Sequence, residues 1–103
     1  MIVIWKGGIK MKIITRVDES REMIRQALDC AYGSYVEQEG KKSDNWREQN
    51  LGQIGDHIRH EVDECIGNIK RGEIGFLLHN AMDVMELGAM LFCKAQELLK
   101  KEK

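Results

Sequence analysis

Glu61 and Glu64 are carboxylates one helical turn apart, and a second polar pair with the same spacing, Asn80 and Asp83, follows on the next predicted helix. Side chains separated by three residues on a helix leave the same face. Two such pairs on facing helices can surround a hard divalent cation with oxygen ligands. Mg²⁺ is the cation that chemistry favours, with Mn²⁺ as a substitute.

The elements that must position these residues are legible as apolar periodicity. Val17, Ile24, Ala27, Leu28, Ala31 and Tyr35 recur at helical spacing and predict a first helix over 17–36, with Thr15 or Asp18 as its cap. Residues 40–50 read as a polar loop whose one large apolar residue is Trp46. Ile54, Ile58, Val62, Cys65, Ile66 and Ile69 share one stripe of a second helix that should stop at Lys70-Arg71-Gly72. The third helix is expected from Glu73 to Lys100, its stripe formed by Leu77, Ala81, Val84, Gly88, Leu91, Ala95 and Leu98. The short connection makes helices two and three an antiparallel αα-hairpin. The expected fold is therefore all-α, with three main helices over residues 15–103.

At about 100° per residue, His57, Glu61, Glu64 and Asn68 fall on one flank of the second helix's stripe. Asn80 and Asp83 occupy a comparable flank of the third, with Lys94 beyond, whereas Arg59, Asp63 and Glu86 are expected to face solvent. Carboxylates half-buried at the border of a core repel one another unless a cation neutralises them.

Residues 1–14 read differently. Ile2-Val3-Ile4-Trp5, Lys6-Gly7-Gly8 and the alternating Ile9-Lys10-Met11-Lys12-Ile13 suit a small β-hairpin. The alternative is a loosely ordered extension ahead of a translation start at Met11.

Composition bounds the function. A chain of 103 residues buries only about two-thirds of its unfolded surface, so a second copy is the natural supplement to its core. Two chains would complete a dimeric four-helix-type bundle or a higher homo-oligomer. The net charge of −1 gives no electrostatic reason to bind a nucleic-acid polymer or an anionic membrane. No uninterrupted apolar run approaches the roughly 18 residues of a membrane span, so a cytoplasmic address is expected. Cys30, Cys65 and Cys93 are odd in number and lack a C-x-x-C pattern; they read as buried, inert thiols.

The stretch Ile54-Gly55-Asp56-His57-Ile58-Arg59-His60-Glu61-Val62-Asp63-Glu64, with Asn68 to Glu73 and then Asn80-Ala81-Met82-Asp83-Val84, resembles the MazG-like all-α nucleoside triphosphate pyrophosphohydrolases. Their motif is E-x-x-E on one helix and E-x-x-D on the next. The preceding Trp46-Arg47-Glu48-Gln49-Asn50-Leu51-Gly52 is similar to the lead-in of the phage dATP/dGTP pyrophosphohydrolase-like branch. The resemblance spans Trp46 to Lys94, about half the chain.

It implies a hydrolase that converts a nucleoside triphosphate to the monophosphate and pyrophosphate, with Mg²⁺ held by Glu61, Glu64 and Asp83. Either Glu61 or Glu64 would orient or deprotonate the attacking water. Asn80 stands where the family has glutamate, and its amide oxygen can still meet a hard cation at the loss of one negative charge. Lys94 would reach a phosphate or stand as a surface lysine, Trp46 would stack on the base or cap the helical core, and His57 would line the substrate site. Dimerisation is implied as well. The competing expectations are a catalytically impaired helical module that binds nucleotide or protein, and a purely structural dimeric bundle.

Overall fold

The computed structural model describes residues 15–42 and 45–102. Among these the chain is all-α: α1 spans Arg16–Lys42, a 3-10 helix spans Asn45–Glu48, α2 spans Leu51–Arg71 and α3 spans Ile74–Lys101. No strand occurs among the described residues. The β-hairpin expected at 1–14 lies outside them. The chain divides into two compact units, Met1–Cys30 and Ala31–Lys103, with the boundary inside α1.

In the first unit, Thr15 caps α1. Its Oγ1 accepts from the Asp18 backbone N–H at 3.1 Å and donates to the Asp18 carboxylate at 2.8 Å. Both candidate capping residues therefore act together, reciprocally, as Ser/Thr caps and acidic third residues do. The helix continues six residues past its expected end at Val36. Gly40, which suggested a loop, does not end the helix.

The second unit is organised by α2 and α3, which pack on each other. Asn50 starts α2 with a capping box: its Oδ1 accepts from the Gln53 N–H and its own N–H donates to Gln53 Oε1, both at 2.8 Å. Gly72 ends α2 in the left-handed region at φ 69°, where its N–H reaches the carbonyls of Asn68 and Ile69. A Cβ added there would meet nothing within 4 Å, so the backbone conformation alone selects glycine. Gly72→Ala should destabilise the protein by about 1 kcal/mol, through that strain alone. A melting curve unchanged by the substitution would show that the cap is not held in the native ensemble.

The core is smaller than the stripes suggest. Ile54, Leu87 and Ala31 are the buried hydrophobic residues, at 0%, 7% and 5% exposure. Leu77, Val84, Leu91 and Ile58 are half-buried, whereas Val62, Ile69 and Leu98 are exposed. Periodicity marks which side of a helix is apolar. How much of that side a single neighbour covers is a separate matter, since two cylinders touch along a line. The thiols follow the same correction: Cys30 and Cys93 are exposed and Cys65 is half-buried. α3 is also long and apolar enough to cross a membrane by length and composition. Its polar residues Asp83 and Glu86 interrupt any simple apolar run but leave the mean hydropathy high.

Candidate functional site

Within the second unit, α1, the 3-10 helix, α2 and α3 enclose a cavity of about 470 Å³. From α1 come Tyr35, Gln38 and Glu39; from the 3-10 helix Asn45 and Trp46, with Gln49 just after it; from α2 come His57 and Glu61; from α3 come Asp83, Glu86, Leu87 and Met90. Four of these carry carboxylates, and the lining includes no lysine or arginine. Such a cavity repels a polyanion unless a cation enters with it.

Glu61 is the pivot. Its side chain is 13% exposed, one oxygen lies 3.7 Å from His57 Nε2, and the other, Oε1, is buried with no hydrogen-bond partner. A buried carboxylate oxygen without a donor is costly, and a metal ion is one of the few things that satisfies it. Glu61 also belongs to a group with His60 and Glu64 whose ligand atoms lie within 4.8 Å of one another. His60 and Glu64 are more exposed and pair at 3.3 Å across one turn. Burial pushes the Cys65 thiol up, and the Glu61, Glu64 and Asp83 carboxylates push it further.

Asp83 is half-buried, lines the cavity and lies 3.8 Å from His79 Nε2. Glu86 was expected to face solvent but is half-buried and lines the cavity beside it. Projecting α3 as an isolated helix hid this, because the cavity is lined by residues of every helix of this unit. A sequence signal did exist: Asp83-x-x-Glu86 repeats the spacing of Glu61-x-x-Glu64.

Asn80 sits in a chain of hydrogen bonds outside the cavity lining. Its Nδ2 donates to Asn68 Oδ1 at 2.7 Å, and Asn68 Nδ2 donates to Glu73 Oε1 at 3.0 Å. Arg71 Nε donates to the same Glu73 oxygen at 2.9 Å. Ionised Glu73 can only accept, so the direction of each bond follows from it: Asn68 must donate there and accept from Asn80. That leaves Oδ1 of Asn80 as its unused acceptor. The Asn68 amide, and Arg71 with it, hold the Glu73 carboxyl below the usual carboxylate range.

Asn80→Glu would remove the donor that Asn68 needs and set a carboxylate against its carbonyl oxygen. Asn68 is 5% exposed, so the metal-free protein should lose about 1–3 kcal/mol. Added Mg²⁺ should recover part of the loss, because the same change adds a negative charge near the carboxylates. Equal melting temperatures for the variant and the parent without metal would remove the relay from the argument.

The remaining expected residues fall in different places. Trp46 lines the cavity and donates from Nε1 to Tyr35 Oη at 3.0 Å, which joins the 3-10 segment to α1. His57 lines the cavity too. Lys94 does not: its Nζ donates to the Arg47 carbonyl at 2.7 Å, and Arg47 in turn pairs with Glu97 at 3.5 Å. Lys94 thus fastens the 3-10 segment to α3. Tyr35 belongs to the apolar stripe of α1, whereas Gln38 and Gln49 carry no signal in periodicity and reach the cavity through tertiary packing.

No protein-family model matches this chain, and no curated protein or solved structure is detectably similar to it.

Proposed function

We propose that the chain is a metal-dependent nucleoside triphosphate pyrophosphohydrolase of the MazG-like kind. The observation that carries the reading is the buried, donor-less Oε1 of Glu61 in an acidic cavity lined by no lysine or arginine. In this reading α2 and α3 form an antiparallel hairpin, two copies build a four-helix-type bundle, and the protein works in the cytoplasm without membrane or nucleic-acid polymer.

Glu61, Glu64 and Asp83 are the residues that would hold Mg²⁺, or Mn²⁺ in its place. Asn80 offers only its amide oxygen, and Glu86 is the better-placed fourth carboxylate because it shares the cavity with Glu61 and Asp83. When bound, the cation offsets the charge of the phosphates and lowers the pKa of water near them.

The chain's own residues supply the rest. Trp46 and Tyr35 present aromatic surface to a planar base, and the Gln38 and Gln49 amides offer both donors and acceptors to its edge. A carboxylate of the Glu61/Glu64 pair takes the proton of the attacking water. Its oxygen bonds to the α-phosphorus as the bridge to the β-phosphate breaks, leaving a monophosphate and pyrophosphate.

A second reading is favoured by one observation. Asn80 is committed to Asn68 and brings no charge, which suits a nucleotide-binding module that has lost turnover. A pyrophosphate-release screen over the common ribo- and deoxyribonucleoside triphosphates, with Mg²⁺ and with Mn²⁺, separates the two. Release from any substrate supports the hydrolase; saturable binding without release supports the module; neither leaves the structural bundle.

A further inference from the structure

We infer that His60, Glu61 and Glu64 form a mixed nitrogen and oxygen site on α2 that takes a borderline divalent ion, Zn²⁺ foremost. The chain has three histidines, His57, His60 and His79. Each stands four residues ahead of one of the three expected carboxylates, Glu61, Glu64 and Asp83, and each has its Nε2 turned to that carboxylate. Four residues on a helix bring two side chains together, so every carboxylate of the set has an imidazole beside it. Mg²⁺ makes no use of them, since it takes oxygen ligands and water.

The distances single out one of the three pairs. Nε2 lies 3.7 Å from the carboxylate at His57–Glu61, 3.8 Å at His79–Asp83 and 3.3 Å at His60–Glu64. A charge-assisted hydrogen bond closes to about 2.7–2.9 Å, so even the shortest pair is longer than such a bond. It has the bite of a chelate instead: bonds of about 2.1 Å at a tetrahedral angle set two ligand atoms about 3.4 Å apart. The third ligand atom comes from Glu61, and all three lie within 4.8 Å of one another. The His60 and Glu64 side chains are 67% and 46% exposed, so both can turn about their own bonds to close on an ion.

A histidine and a glutamate paired on a helix surface are by themselves an ordinary contact. Glu61 supplies the second observation. Its side chain is 13% exposed, and its Oε1 is buried without a hydrogen-bond partner. A cation held between Glu61 and the more exposed pair satisfies that carboxylate from the side on which His60 and Glu64 stand. Ligand type then names the ion, because imidazole and carboxylate together suit Zn²⁺ and its neighbour Co²⁺ over Mg²⁺. All three ligands belong to one stretch of α2, so the set forms wherever α2 forms.

The site uses no part of the proposed reaction. One consequence does rest on that reading: Glu61 and Glu64 are shared with the Mg²⁺ set, so Zn²⁺ beside His60 withdraws them and inhibits pyrophosphate release.

The test is titration of the metal-free full chain with Zn²⁺, read as heat of binding and as melting temperature, and with Co²⁺, read as visible absorption. Wild type should bind one Zn²⁺ tightly. His60→Gln should weaken it at least about tenfold, since loss of a ligand's supporting partner alone costs about 10–100-fold. The same variant should change the Co²⁺ spectrum through the loss of a nitrogen donor. Its far-ultraviolet helicity should match wild type, because the side chain is exposed. His79→Gln should leave the Zn²⁺ affinity as it was. No Zn²⁺ binding by wild type, an unchanged affinity in His60→Gln, or an equal loss in His79→Gln would each overturn the site. Pyrophosphate release is judged separately. A chain that binds Zn²⁺ through His60 and cleaves no nucleotide keeps the site and loses the hydrolase. A hydrolase that Zn²⁺ inhibits equally in wild type and His60→Gln keeps its activity and overturns the competition.

Discussion

Glu61→Gln should abolish the rise in melting temperature caused by Mg²⁺ and reduce metal-dependent pyrophosphate release by about two orders of magnitude or more. The substitution keeps the volume and polarity of the side chain and removes only its charge. A ligand that binds the native state alone raises stability by RT ln(1 + [L]/Kd), about 2.7 kcal/mol at a hundred times Kd. That increment is the signal to be lost. Glu61 is the right place to look because one of its oxygens is buried without a donor, whereas Glu64 is paired with His60 near the surface. Glutamine can also donate from its amide, so the variant without metal should be no less stable than the parent. Parent and variant showing the same Mg²⁺-induced shift would leave the acidic cavity without its proposed ligand.

Ile54→Ala should be the most damaging core substitution, costing about 2–5 kcal/mol. Ile54 is the one large side chain with 0% exposure among the described residues, so its removal empties space that solvent does not reach. A small domain has about 5–15 kcal/mol in total, and each kcal/mol moves the melting temperature by about 4–8 °C at this size. A drop of at least about 10 °C is expected from these values. Ile54→Val, which removes one methylene, should cost only about 0.5–1.5 kcal/mol. The graded pair distinguishes lost packing from a disturbed helix start, since Ile54 follows the Asn50 capping box by four residues. Equal effects from valine and alanine would point to the cap instead.

Much of this could be read from residues in a row. The apolar spacing placed three helices, and Lys70-Arg71-Gly72 marked the end of α2 because its cause is local: a left-handed cap favours glycine in any fold. The Asn50/Gln53 capping box is equally local. What escaped was tertiary. Glu86 lines a cavity built by several helices together, which the spacing within α3 does not record. The Tyr35–Trp46 bond joins residues eleven apart through a change of direction that no periodicity records. The bond from Lys94 to the Arg47 carbonyl, 47 residues away, is likewise tertiary. The exposure of Ile69 and Leu98 had the same origin, since a stripe shows apolar character and not the extent of its cover.

The hydrogen-bond chain from Arg71 through Glu73 and Asn68 to Asn80 has a consequence for how this sequence can change. Each amide in it is oriented by the one before, so the polarity set at Glu73 is transmitted to α3. A carboxylate at position 80 conflicts with an asparagine at 68 as long as Glu73 claims that asparagine's donor. The two positions are therefore coupled: a substitution neutral at 80 in one background is unfavourable in another, and the order in which 68 and 80 change sets the stability of the intermediate. A route from asparagine to glutamate at position 80 passes first through position 68 or 73, neither of which touches the cavity.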